Sequence, residues 1–178
     1  MPEVIVLVLG GTRSGKSEVA ERLAAEVADG GSVLYLATAC TSEEDTEFIG
    51  RVNRHRSRRP PHWTTHEVDD PLTLPQLLAD LDGPVLLDSL GSWVAAHPDL
   101  DPDLDGIVTA LTGRSARGDV TLVVTEEVGL SVHPQTETGR RFADALGAAN
   151  RLVADAADQV LFVVAGRTLE LPTHGTHS

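Results

Sequence analysis

The sequence predicts an α/β domain with a mainly parallel central sheet and helices on both of its faces. Two observations predict it. Short β-branched apolar runs alternate with amphipathic stretches from end to end, a pattern that calls for parallel strands covered on both sides. A glycine-rich turn, Gly10-Gly-Thr-Arg-Ser-Gly-Lys-Ser17, stands directly between the first apolar run and the first helical one.

Val4–Leu9 is apolar on both of its alternating sides, as a strand buried in a parallel sheet must be. From Lys16 to Ala28, residues Val19, Ala20, Leu23, Ala24 and Val27 recur at helical spacing, and Asp29-Gly30-Gly31 stops the helix. Val33–Ala37 is the second strand. Thr41 or Ser42 can cap a helix containing Phe48, Ile49 and Val52, which runs into an arginine-rich stretch. Trp63–Val68 reads as a more polar strand, Leu74–Leu81 as a short helix and Pro84–Asp88 as another buried strand. Asp99–Asp105, acidic and containing Pro102, reads as a loop before a helix over Leu104–Leu111. Val120–Thr125 is a strand, Thr138–Ala157 a long amphipathic helix and Gln159–Val164 the last strand. Residues 1–171 thus form a single expected domain without internal repeat or linker, and 172–178 an expected disordered tail.

The bulk numbers agree. A chain of 178 residues, 41% hydrophobic, can bury one sizeable core. Only 3% is aromatic, so that core is built from Val, Leu and Ala. A formal charge of -13 excludes a broad nucleic-acid or anionic-membrane surface. The single cysteine, Cys40, leaves no intrachain disulfide and fits a reducing compartment. The six residues Val4–Leu9 are too few for a signal peptide or a membrane span. A cytoplasmic location is expected.

Gly10–Ser17 matches G-x-x-x-x-G-K-[ST], the phosphate-binding loop. The chemistry asks for each part. Glycines let successive amides converge on one concavity at a helix N-terminus, where an anion is favoured. The lysine reaches the β- and γ-phosphates, and the Ser17 hydroxyl is placed to ligate Mg²⁺. Gly10, Gly11, Thr12, Arg13, Ser14, Gly15, Lys16 and Ser17 are therefore expected to hold ATP or GTP. Lys16 is also the only lysine in the chain. Asp88, ending a buried strand, is either the acid that holds the metal through water or a helix-capping aspartate. Glu126 and Glu127, after another strand, are either acids near the metal or solvated.

Arg51, Arg54, Arg56, Arg58 and Arg59 concentrate five of thirteen arginines around His55. On a helix, Arg51, Arg54, His55 and Arg58 share one face, and arginine forks there suit a triphosphate. His55 is then either a nucleophile for an α-phosphorus or a solvated histidine on a basic, phosphate-binding helix. Composition alone favours the second reading.

Several segments together resemble one family, the bifunctional adenosylcobinamide kinase / adenosylcobinamide-phosphate guanylyltransferases of cobalamin biosynthesis. They are GGTRSGKS at Gly10, LYLATA at Leu34, RVNRHRSRRPPHWTTHE at Arg51, VLLDSLGSWV at Val85, TEEVGLSVHP at Thr125 and the stretch from Gly139 to Gly166. The resemblance implies a RecA-like P-loop NTPase fold and two reactions. One moves the γ-phosphoryl group of ATP or GTP to adenosylcobinamide; the other moves GMP from GTP to adenosylcobinamide phosphate through a GMP-histidine. It implies that His55 is that histidine, which reverses the reading from composition. It implies nucleotide contacts at Ala37, Thr38, Ala39, Arg56, Ser57, Arg58, Arg59, Glu67 and Asp88, with Mg²⁺ on Ser17 and Asp88, and a homotrimer. The family commonly has Asn at the position of Glu126, Gly at that of Ser131, and often Glu at that of Asp88.

Overall fold

A computed structural model describes residues 4–38, 59–130, 132 and 134–172. Seven strands form one sheet: β1 (Ile5–Gly10), β2 (Leu34–Ala37), β3 (Thr64–Glu67), β4 (Val85–Asp88), β5 (Thr121–Glu126), β6 (Gln159–Val164) and β7 (Arg167–Leu171). Their order across the sheet is β3-β2-β4-β5-β1-β6-β7. The first six are parallel, and β7 returns antiparallel on β6.

The helices are α1 (Lys16–Ala28), α2 (Leu74–Asp80), α3 (Leu90–Ala96), α4 (Leu104–Arg117) and α5 (Glu137–Ala156), with a 3₁₀ turn over Pro71–Thr73. Alternation along β1 divides the core in two. Val6 and Val8 point to α1, where Val19, Ala20 and Ala24 meet Leu86, Leu122 and Val124. Ile5 and Leu7 point to the other face, where Leu74, Leu78, Trp93, Leu111, Leu146 and Val153 come from the remaining helices. Each fully buried Leu or Val contributes roughly 1.5–3 kcal/mol. Aliphatic packing carries this fold, as the low aromatic content predicts.

The sequence misses two elements. Leu90–Ala96 is a helix of seven residues, capped by Ser89, whose side chain accepts from the Ser92 amide. Arg167–Leu171 is an exposed edge strand joined to β6 by a two-residue turn. Helix α4 runs on to Arg117, beyond the expected Leu111, because Arg114 is buried and Gly118 supplies the left-handed stop. The expected helix around Phe48 lies outside the described residues. Among the described residues, no helix is long and apolar enough to cross a membrane.

Candidate functional site

Parallel strands bring their C-terminal ends to one edge of the sheet, where ligands of open α/β sheets bind. Gly10 pairs with Glu126 and Val163, Asp88 with Val124 and Ala37, and Ala37 with Glu67. The predicted residues Gly10, Ala37, Glu67 and Asp88 therefore share that edge, but not one spot on it. Strands lie about 4.8 Å apart, so Asp88 stands roughly 10 Å from the phosphate loop across the sheet and Glu67 roughly 19 Å. Asp88 is at the distance of a water-mediated metal ligand. Glu67, exposed at the sheet margin, is out of reach of phosphates held at Gly10–Ser17.

The loop between β1 and α1 is shaped by glycine where shape is needed. A methyl group on Gly10 would stand 2.6 Å from both Ser14 Oγ and the Val163 carbonyl oxygen. Gly15 has φ +93 and also lies against Gly166. Arg13 holds a left-handed φ of 60 without being glycine, a conformation that costs about 1–2 kcal/mol per residue. The first intrahelical bond of α1 runs from the Val19 amide to the Gly15 carbonyl. The amides of Lys16, Ser17 and Glu18 therefore precede any intrahelical partner, an anion-receptive arrangement. From outside, the β6–β7 turn braces the loop: the Gly166 amide donates to the Ser14 carbonyl at 2.7 Å. Gly11, Thr12 and Arg13 are exposed, and Ser14, Lys16 and Ser17 half-buried.

Lys16 Nζ lies 3.5 Å from Glu126 Oε1, while Ser89 Oγ donates to Glu126 Oε2 at 3.2 Å. The neighbouring acid behaves differently. Glu127 folds back on its own loop, accepting from the Gly129 and Leu130 amides at 2.7 and 2.8 Å. Two adjacent glutamates that sequence cannot tell apart thus have separate roles, one at the phosphate loop and one closing a turn.

Asp88 is tied to its surroundings by Tyr35, whose hydroxyl donates to Oδ2. Burial, then the Asp88 charge, pushes the Tyr35 phenol well above the usual tyrosine range, so it stays a donor. The Arg59 guanidinium stacks on the Tyr35 ring, 3.2 Å from its centroid, and donates to Thr65 Oγ1 at 3.0 Å. Sequence reasoning gives Tyr35 no role, since its partners are 24 and 53 residues away. Thr38 is buried; its hydroxyl donates to the Ser89 carbonyl at 2.6 Å and accepts from the Ser89 amide at 2.9 Å. That hydroxyl is committed within the protein. Ala39, His55, Arg56, Ser57 and Arg58 lie outside the described residues.

A serine hydroxyl and one carboxylate are the hard oxygen donors Mg²⁺ takes when it arrives with a nucleotide, keeping its waters otherwise. Among the described residues no three of His, Cys, Asp and Glu are grouped to cage a metal alone. Ser17 and Asp88 fit a metal brought in on phosphates.

A profile of the family described as cobinamide kinase / cobinamide phosphate guanyltransferase matches residues 6–171. The chain belongs to that family. Its cobinamide kinase / guanyltransferase relatives include the bifunctional adenosylcobalamin biosynthesis protein CobP of Pseudomonas aeruginosa, 38% identical, covering 95% of this chain and 96% of the relative. The protein CobU of Salmonella typhimurium is 35% identical over 92% of this chain and 97% of its own length. Among solved structures, the flagellar accessory protein FlaH of Methanocaldococcus jannaschii superposes with a TM-score of 0.60 at 16% identity, over 97% of this chain and 80% of that one. A KaiC-like protein of Pyrococcus horikoshii OT3 gives 0.51 at 16% identity, over 91% and 72%. These place this cobinamide kinase / guanyltransferase among the RecA-like P-loop folds, and show the fold alone.

Proposed function

We propose that this enzyme phosphorylates adenosylcobinamide with ATP or GTP, then transfers GMP from GTP to the product, giving adenosylcobinamide-GDP and pyrophosphate. The observation that carries this reading is the family match over residues 6–171; the open phosphate loop agrees with it. In the kinase step, the amides of Gly10–Ser17 and the Lys16 ammonium gather the β- and γ-phosphates, and Arg13 adds positive charge. Preorganised donors of this kind supply most of the rate in phosphoryl transfer. Ser17 and, through water, Asp88 would hold Mg²⁺, which supplies charge neutralisation between phosphates when bound. Tyr35 fixes the Asp88 carboxylate, and Ala37 and Thr38 shape the wall beside it.

In the transferase step, His55 is the nucleophile for the α-phosphorus of GTP. The bond to pyrophosphate breaks, and the phosphate loop with Arg56, Arg58 and Arg59 takes up the charge that leaves. Ser57 belongs to the same nucleotide-contacting segment, and Glu67 to the part of the nucleotide away from the phosphates. A cleft of about 550 Å³ beside α5, with polar walls including Glu127, Arg140, Asp144 and Asn150, suits the amide-rich acceptor. Family resemblance supports a homotrimer, and use of ATP and GTP a cytoplasmic location.

Incubation with α-labelled GTP tests the reading. Acid-labile, base-stable label is expected on the wild type and none on His55→Ala, which keeps its kinase activity. A wild type that never acquires label would refute the guanylyl transfer.

A further inference from the structure

Resting on the kinase reading above, we infer that Glu126 is the general base of the phosphoryl-transfer step, taking the proton of the acceptor hydroxyl. Its carboxylate is held where the reacting group must stand. Lys16 Nζ is 3.5 Å from Oε1, and the lysine of such a loop touches the β- and γ-phosphates when nucleotide is bound. An acceptor oxygen has to come within about 3–3.5 Å of the γ-phosphorus before it reacts. Acceptor oxygen and carboxylate therefore both border the γ-phosphoryl group, within hydrogen-bonding reach of one another. The two anions gathered there are offset by Lys16, which contacts both.

The carboxylate is also positioned from three other directions. Ser89 Oγ donates to Oε2 at 3.2 Å. The Glu126 carbonyl accepts from Asn150 Nδ2 at 2.9 Å, which anchors the end of β5. Gly91, in the first turn of α3, leaves the space it occupies: a methyl group on Gly91 would stand 2.0 Å from Oε2. The Glu126 side chain is 32% exposed against 12% for Lys16, so an acceptor can approach it from solvent. A counter-ion that served only to neutralise Lys16 would need neither the Ser89 bond nor a glycine cut-out.

In the step, the acceptor O–H gives its proton to Glu126 as the O–P bond to the γ-phosphorus forms. The bond from that phosphorus to the β-phosphate oxygen breaks and leaves a nucleoside diphosphate. Glu126 then loses the proton to solvent through its exposed side. Guanylyl transfer needs no such base near the γ-phosphate, because its bonds change at the α-phosphorus.

The test is a comparison of both reactions in Glu126→Gln and Gly91→Ala. Phosphorylation of adenosylcobinamide is expected to fall roughly 10²–10³-fold in kcat for Glu126→Gln, with the KM for nucleotide not raised. Covalent labelling by α-labelled GTP is expected at the wild-type rate, which also shows that the variant is folded. Gly91→Ala, which pushes the carboxylate aside, should show the same selective loss. A Glu126→Gln enzyme that keeps its kinase activity overturns the assignment. So does an equal fall in both reactions, which would make Glu126 an anchor for Lys16. A wild type that labels but phosphorylates no adenosylcobinamide brings down the kinase reading, and this assignment with it.

Discussion

Lys16 carries the chain's only ε-ammonium group, and it lies between the phosphate loop and Glu126. Its role is legible in sequence because the motif is local: strand, turn and helix fall within Ile5–Ala28. Its partner is not, because 110 residues separate Lys16 from Glu126 and only the pairing of β1 with β5 closes that gap. Lysine-directed acylation should therefore modify one side chain, and saturating GTP should protect it; mass spectrometry of the peptide containing Lys16 reads both outcomes. Lys16→Ala should lose both reactions, since both use the same phosphates. Tyr35 offers a second test. Its phenol is raised by burial and by Asp88, so its contribution to stability is complete below the unfolded tyrosine value near pH 10 and is lost as pH rises beyond it. Urea unfolding from about pH 9 to about pH 11 should show a steeper loss for wild type than for Tyr35→Phe. The same variant frees Asp88, and should weaken Mn²⁺ binding to the nucleotide complex by about tenfold, one hydrogen bond to a charged group, as measured by electron paramagnetic resonance.

Among the elements, the long or fully buried ones were readable and the short or exposed ones were not. Strands β1, β4, β5 and β6 declare themselves as unbroken apolar runs. Helix α3 hides because Leu-Gly-Ser-Trp-Val-Ala-Ala has only seven residues and opens on a glycine, and β7 because Arg-Thr-Leu-Glu-Leu lies on an edge with one exposed side after another. Helix α4 passes its expected end because Arg114 turns inward, donating to Thr121 Oγ1 at 2.9 Å and to the carbonyls of Leu81 and Gly83. Burial pulls its guanidinium below the usual arginine value, so those acceptors hold a partly desolvated cation. Arg114→Leu leaves them unpaired and should destabilise the protein by roughly 3 kcal/mol in urea titration. At its C-terminal side, Asp119 accepts from the Gly83 amide and from Arg117, which hold its carboxyl below the usual range. That contribution is present above about pH 4 and fades as pH falls below it, so Asp119→Asn should flatten the acid limb of the stability curve.

For the whole molecule, alternation of strands and helices made a parallel sheet legible, but not its order. Nothing in the residues of β1 announces that β5 and β6 flank it, and the basic segment around His55 lies outside the described residues. A ligand that binds only the folded form stabilises it by about 2.7 kcal/mol at a hundredfold excess over Kd. For a chain of this size that amounts to a Tm rise of about 5–11 °C, which GTP should produce in wild type and not in Lys16→Ala. One further consequence follows from the turn at Ala165–Gly166, whose amide props the loop at Ser14. The ribosome makes the nucleotide-gripping loop almost first and its prop almost last. A growing or prematurely terminated chain that stops before Val163 has the whole motif yet no finished cradle, so it should hold no GTP, and polypeptides released early should not compete with complete copies for substrate.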